Sequence, residues 1–232
     1  MRYAILGTGV VGRTIAGKLT SLGHEAVIGT CDPQATLART EPDGLGNPPY
    51  SQWQAEHPQV RLETFADAAA HGEVVVNTTA GLSSLEALRS AGAVNLAGKV
   101  VIDVANPLDF SQGMPPLLDP VNTDSLGEQI QRTFPEAKVV KTLNTMNAQI
   151  MVDPSRVPGA HTVFVSGDDA ESKEAVTELL VSFGWPAGGI VDLGDITTAR
   201  GAEMLLPIWL RLYGALGNAD FNFHIQGAHH SA

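Results

Sequence analysis

Six residues near the start, Gly7-Thr8-Gly9-Val10-Val11-Gly12, have the G-x-G-x-x-G spacing with which a backbone can cradle a diphosphate. Each glycine has a separate task. Gly7 permits a tight turn, Gly9 lets the main chain approach the phosphates because it has no Cβ, and Gly12 lets a helix lie close on a strand. The opening of that helix would offer unpaired N–H groups and a partial positive charge to the anion. The string alone is weak, and its surroundings decide. Residues 2–6 read as a strand. Val10, Val11, Ile15 and Leu19 then repeat with helical period up to Gly23, and residues 25–28 read as a second strand. That is a βαβ unit.

Other reactive types are sparse. Cys31 is the single cysteine, which excludes an internal disulfide and a cysteine-rich metal site. No His/Cys spacing suits a metal, His24 and His161 read as structural, and the tail ending HHSA is given no metal role. There is no G-x-S-x-G elbow and no Ser-x-x-Lys pair, so acyl chemistry has no nucleophile. Hydride transfer needs none, because it asks only for two carbons held close in a dry site.

The elements that would position the glycine turn continue along the chain. Residues 60–62 read as a short third strand. Residues 73–76 and 99–104 are near-continuous apolar runs, as in parallel strands covered on both faces. Helices are predicted over 83–91 and 125–134, opened by Ser83-x-x-Glu86 and Ser125-x-x-Glu128, the spacing of a capping box. Strands follow at 138–141 and 161–166, then a helix over 168–183, a short strand over 190–193 and an apolar helix over 197–216 kinked at Pro207. Segments 41–58 and 106–124 look irregular. The order predicts an α/β fold: a doubly wound, mostly parallel Rossmann-type sheet with two extra C-terminal strands and a terminal helix. Residues 1–225 are expected to form one NAD(P)-binding domain, with 226–232 a tail.

Composition bounds the partners. The 232 residues carry a net charge of −11, 44% hydrophobic residues and 17% charged ones. The acidic balance argues against nucleic acid and against anionic membrane surfaces. The start does not read as a secretory leader, no run approaches the ~18 apolar residues of a membrane span, and a lone cysteine suits a reducing compartment. A cytoplasmic protein is expected.

Beyond the glycines, four strings occur in order: Asp103-Val104-Ala105-Asn106-Pro107-Leu108, then residues 141–147 (KTLNTMN), residues 166–169 (SGDD) and residues 203–207 (EMLLP). Together they resemble the family of NADP oxidoreductases dependent on coenzyme F420, over about residues 1–225. The dinucleotide domain is also similar to the N-terminal part of six-transmembrane metalloreductases. The resemblance implies that a nicotinamide and a deazaflavin or flavin lie face to face at the carboxyl edge of the sheet. It implies that Thr8, Gly9, Val10 and Val11 hold the diphosphate, and that Thr30 and Cys31 meet the adenosine ribose. Thr78, Thr79 and Ala80 would line the dinucleotide path, and Asn106, Pro107 and Leu108 would flank the nicotinamide. Met146, Asn147 and Ala148 would close the far side, and Leu205, Leu206 and Pro207 would form an apolar wall for the second ring.

One departure bears on the nucleotide. The family places an arginine where this chain has Cys31, and that arginine would pair with the 2′-phosphate of NADP. Asp32 reads two ways: as an acid for both ribose hydroxyls of NAD, or as a helix N-cap before Pro33. NADP is kept ahead by resemblance, with NAD open, and Thr30 and Arg13 stand as other phosphate partners. Basic candidates for an acidic deazaflavin tail, Lys141, Arg200 and Arg211, are scattered. The apolar terminal helix predicts a homodimer. The rival readings are an NADPH-dependent reductase of free flavin, a ferric chelate or a quinone, and a non-catalytic NAD(P)-sensing module.

Overall fold

The computed structural model describes residues 1–43 and 46–227. In chain order its first half runs β1 (Arg2–Leu6), α1 (Val10–Ser21), β2 (Glu25–Thr30), α2 (Pro33–Ala38), α3 (Tyr50–Glu56), β3 (Arg61–Thr64), α4 (Phe65–His71), β4 (Val74–Asn77), α5 (Gly81–Ala91), α6 (Ala93–Leu96) and β5 (Val100–Asp103). A small hairpin follows, β6 (Leu108–Asp109) with β7 (Leu117–Leu118), then α7 (Leu126–Thr133), β8 (Lys138–Thr142), α8 (Ala148–Val152), β9 (Val163–Ser166), α9 (Ala170–Phe183) and β10 (Ile190–Gly194). The described chain closes on α10 (Ala199–Met204) and α11 (Leu206–Leu216).

Eight strands form one sheet in the order β10-β9-β8-β5-β4-β1-β2-β3. Every neighbouring pair is parallel except β8 and β9, which run antiparallel. The strand order reverses at β1 and β4, the point where open α/β sheets take ligands outside the carboxyl ends. Alternation along each strand feeds two cores. Tyr3 and Ile5 join α1, α3, α8 and α9 on one face, while Ala4 and Leu6 join α4 to α7 and α10 on the other.

Local signals set the helix ends, and they explain where the expectations moved. Ser125 accepts from the Glu128 amide at 3.1 Å and donates its hydroxyl to the Glu128 carboxylate at 2.7 Å, so Ser125 caps α7 as its spacing suggests, with the carboxylate on the hydroxyl rather than on the Ser125 amide of a full capping box. Ser83 does not cap α5. α5 opens at Gly81 with Ala80 as its N-cap, and Ser83 lies inside the first turn. α9 opens at Ala170, because Asp169 rather than Asp168 accepts from the Ser172 amide at 2.9 Å. Helix α4 escapes a periodicity reading because alanines fill its middle; the Thr64 hydroxyl caps it at the Asp67 amide. Segment 41–58 is not wholly irregular, since Tyr50 and Trp53 anchor α3 on the core. Segment 106–124 holds the hairpin.

The terminal helix is two helices. Pro207 lacks an N–H and its ring crowds the carbonyl of Glu203, so the chain breaks at Leu205. Beyond the break only Leu206 is buried; Ile208, Tyr213 and Leu216 are about half exposed. No helix among the described residues is long and apolar enough to cross a membrane.

Candidate functional site

The turn between β1 and α1 is built by its glycines. Gly7 has φ +122°, and its amide donates to the Gly29 carbonyl at 2.9 Å. A Cβ on Gly12 would lie 2.3 Å from the Gly7 carbonyl oxygen, so glycine is required there by packing. Gly9 differs: it is the N-cap of α1 in ordinary extended backbone, and a Cβ there would meet nothing within 4 Å. No side chain caps α1 and no acid stands in its first turn. The opening of α1 therefore faces open space with its first N–H groups unclaimed by side chains.

Three loops converge beside it. After β4, Thr78 donates its hydroxyl to the Leu6 carbonyl at 2.8 Å, and Thr79 donates to the Asn77 side chain at 2.7 Å. After β5, the side chains of Asn106 and Asn144 lock the loop to the one after β8. Asn144 Nδ2 donates to Asn106 Oδ1 at 2.9 Å, and Asn106 Nδ2 donates to the Asn144 carbonyl at 2.8 Å. Leu143, just before Asn144, holds φ +62°, an outlier for so bulky a residue. The opening of α5 presses on the same loop: a Cβ on Gly81 would sit 2.1 Å from the Asn106 carbonyl oxygen.

These loops, with α11, enclose a cavity of about 730 Å³. Of the residues expected at a site, Val11, Thr78, Thr79, Ala80, Asn106, Leu108, Met146 and Leu206 line it. Pro107, Asn147, Ala148, Leu205 and Pro207 do not. Asn147 is spent as the N-cap of α8, accepting from the Gln149 amide at 2.8 Å, and Ala148 is buried in that helix. Pro107 is buried and Pro207 exposed, so of the EMLLP string only Leu206 faces the cavity. Trp209, one turn further on, supplies the rest of that wall, stacked between Tyr213 and Phe221. Asn144, Leu82 and Phe110 also line the cavity without having been singled out, although Asn144 lies within KTLNTMN.

A second cavity of about 560 Å³ opens on Thr8 and Gly9 and runs to Arg13, Thr36, Arg39 and Tyr50. Thr30 and Cys31 do not line it. Thr30 is buried against the Thr36 hydroxyl at 3.0 Å, and Cys31 is exposed. Asp32 accepts from the Ala35 amide at 2.9 Å, so the N-cap reading of that residue holds. Burial pushes the Arg13 guanidinium and the Tyr50 hydroxyl in opposite directions, the first below and the second above its ordinary value. Among the described residues, neither Arg13 Nε nor the Tyr50 hydroxyl has a hydrogen-bond partner.

Behind the large cavity lies a buried charge cluster. Lys141 Nζ is 2.8 Å from both Asp103 and Glu203, and also donates to the Ala105 carbonyl. Burial would lower its ammonium, but the two carboxylates outweigh that and hold it above the ordinary lysine value. Glu203 in turn accepts the Leu126 and Gly127 amides that open α7. Arg200 is paired with Glu128 at 2.6 Å. Two of the three cations considered for an acidic tail are thus committed elsewhere. His161 is buried, and is satisfied by the Pro154 carbonyl and by Asn222. Among the described residues no three His, Cys, Asp or Glu converge as metal ligands.

The family profile for NADP oxidoreductase, coenzyme F420-dependent, matches residues 2–107. A 1.70 Å crystal structure from Arthrobacter sp. FB24, provisionally named an F420-dependent NADP reductase, is 67% identical, spans 96% of this chain and 98% of its own, and superposes with a TM-score of 0.92. The metalloreductase STEAP3 of Rattus norvegicus is 27% identical over 212 residues, which are 90% of this chain but only 38% of that protein. A reductive aminase from Aspergillus terreus, solved with NADPH and ethyl levulinate, shares the fold at 14% identity and a TM-score of 0.61, over 93% of this chain and 62% of its own.

Proposed function

The chain belongs to the F420-dependent NADP oxidoreductase family, a family of NAD(P)-dependent enzymes, and from that premise we propose that it moves a hydride between NADP(H) and a planar ring cofactor of the deazaflavin or flavin type. One observation carries the reading: the 730 Å³ cavity begins at Val11, in the first turn of α1, and ends on the apolar wall of Leu206 and Trp209. It has a nucleotide-binding turn at one end and room for a second ring at the other.

The turn fits a diphosphate. Open space at Gly9 and the uncapped start of α1 give Thr8, Gly9, Val10 and Val11 the geometry to donate main-chain N–H groups to it. The adenosine end would enter the 560 Å³ cavity, past Arg13 and Thr36. Thr78, Thr79 and Ala80 would guide the nicotinamide half, and the Asn106–Asn144 pair would hold the loop against which the ring rests. When bound, the dinucleotide supplies the hydride. The chain's own work is to hold both rings in contact and exclude water, which needs no proton donor on the protein. Met146, Leu108 and Leu206 do the excluding.

NADP is preferred over NAD on the strength of the family, and because Asp32 is engaged by its helix. Residues 1–225 act as a single domain. The half-exposed apolar side chains of α11 are covered by a second copy, so the working form is a homodimer. Anaerobic mixing of NADPH with ring acceptors, a ferric chelate and a quinone tests the reading. Oxidation by a deazaflavin or flavin supports it. Oxidation by the chelate or quinone alone replaces it with the reductase reading that the metalloreductase similarity favours, and binding without oxidation by any acceptor leaves a sensing module.

A further inference from the structure

We propose that Asn77 is a positioning residue for the nicotinamide half of the dinucleotide. Held by the buried Asp103 carboxylate, it turns the Thr79 hydroxyl proton inward and leaves the Thr79 oxygen as an acceptor for a ribose hydroxyl. This rests on the nucleotide reading above and names a residue that does not itself line the cavity. The polarity of the Asn77 amide is fixed at both ends, because a carboxylate can only accept and a main-chain N–H can only donate. Asn77 Nδ2 donates to Asp103 Oδ1 at 2.8 Å, which puts the nitrogen on that side. Asn77 Oδ1 then accepts from the Thr79 amide at 3.3 Å and from the Thr79 hydroxyl at 2.7 Å. Ser84 closes the group: its Oγ accepts from Asn77 Nδ2 at 3.1 Å and lies 2.9 Å from Thr79 Oγ1. Asn77, Ser84 and Asp103 are fully buried, whereas Thr79 is partly exposed and lines the cavity. Asp103 is anchored in turn, by Lys141 at 2.8 Å and by the Ala105 amide at 3.2 Å. One carboxylate thus orders the loops after β4 and after β5 together.

The place of Thr79 selects the ligand group. Thr78 packs on the glycine turn, its Oγ1 standing 2.9 Å and 2.8 Å from where a Cβ would lie on Gly7 and Gly12. Thr79 is the next residue, the first hydroxyl on the cavity side of the turn that suits a diphosphate. In a dinucleotide the group bonded to the diphosphate is a ribose, and its hydroxyls have protons to give. With its own proton spent on Asn77, the Thr79 oxygen matches such a donor. A phosphate or carbonyl oxygen in the same place would meet lone pair against lone pair.

Calorimetric titration with NADP⁺ and with adenosine 2′,5′-bisphosphate, which has no nicotinamide half, tests the assignment. Thr79→Val should weaken NADP⁺ about fivefold, the worth of one hydrogen bond, and Thr79→Ser should restore it. Asn77→Ala should weaken NADP⁺ to a similar extent, and the Asn77→Ala/Thr79→Val double variant no further, because one residue acts through the other. Binding of the bisphosphate should be unchanged in all of them. Should Asn77→Ala not fold, the contrast between Thr79→Val and Thr79→Ser decides. Wild-type affinity in Thr79→Val, losses that add in the double variant, or an equal loss for the bisphosphate overturns the proposal while leaving nucleotide binding intact. No heat from NADP⁺ with the wild-type chain overturns the nucleotide reading as well.

Discussion

A methyl group added at Gly9 would meet no atom within 4 Å, whereas one at Gly12 would stand 2.3 Å from a backbone oxygen. The two glycines of one motif therefore predict opposite phenotypes. Gly12→Ala should cost about 3 kcal/mol of stability, because backbone must move to admit it. Gly9→Ala should change stability by less than about 0.5 kcal/mol, since its φ of −72° suits any residue. It should nonetheless weaken NADPH binding about tenfold, by filling the space a diphosphate needs. Thermal unfolding and calorimetric titration on both variants check the pair. At Cys31 the side chain is exposed and no packing resists a larger one. Cys31→Arg should raise the preference for NADPH over NADH about tenfold, the worth of one charge-assisted hydrogen bond. Dissociation constants for both nucleotides read it directly, and an unchanged ratio rejects it.

At the scale of elements, Lys141 joins β8 to the end of β5, to the loop that carries Asn106, and through Glu203 to α10 and the start of α7. Lys141→Met leaves two carboxylates buried without a cation and should cost about 3–5 kcal/mol. Adding Asp103→Asn and Glu203→Gln should recover much of that loss, which denaturant titration of the single and triple variants would reveal. Helix caps and ion pairs set the acid limit. Arg200 holds the Glu128 carboxyl below its ordinary 4.5, with Ser125 adding to the effect. A carboxyl lowered by folding contributes stability that is present above its unfolded value and lost as pH falls through its folded value. Asp124, Asp169 and Asp195 are lowered in the same sense by their own hydrogen bonds. Stability should therefore fall progressively below about pH 4.5, and Arg200→Gln should flatten that limb.

At the scale of the molecule, the inner strands of the sheet are buried on both faces, but one side of α11 is left in solvent, with Ile208 48%, Tyr213 49% and Leu216 53% exposed. A second copy should cover them. Sedimentation at micromolar concentration should give a dimer, and Leu216→Glu should give a folded monomer. A wild-type monomer rejects the assembly.

Much of this was legible in the chain. Periodicity and glycine spacing are local, so β1, α1, β2 and the apolar central strands followed directly, as did the doubly wound order. The resemblance assigned Asn106, Met146 and Leu206, each within one of its strings, to one site, and all three line the same cavity. Ala-rich α4 and the break at Leu205 were harder, because a cap and a proline clash depend on one or two atoms rather than on a repeat. What a side chain faces was beyond the sequence altogether. Asn147 and Asn144 are three residues apart in one motif, yet one caps a helix and the other lines the cavity. Lys141 reads as a free cation until the fold seals it between two carboxylates. Local spacing fixes how the backbone turns; only the packing of distant segments decides which groups are spent on the fold and which are left for a ligand.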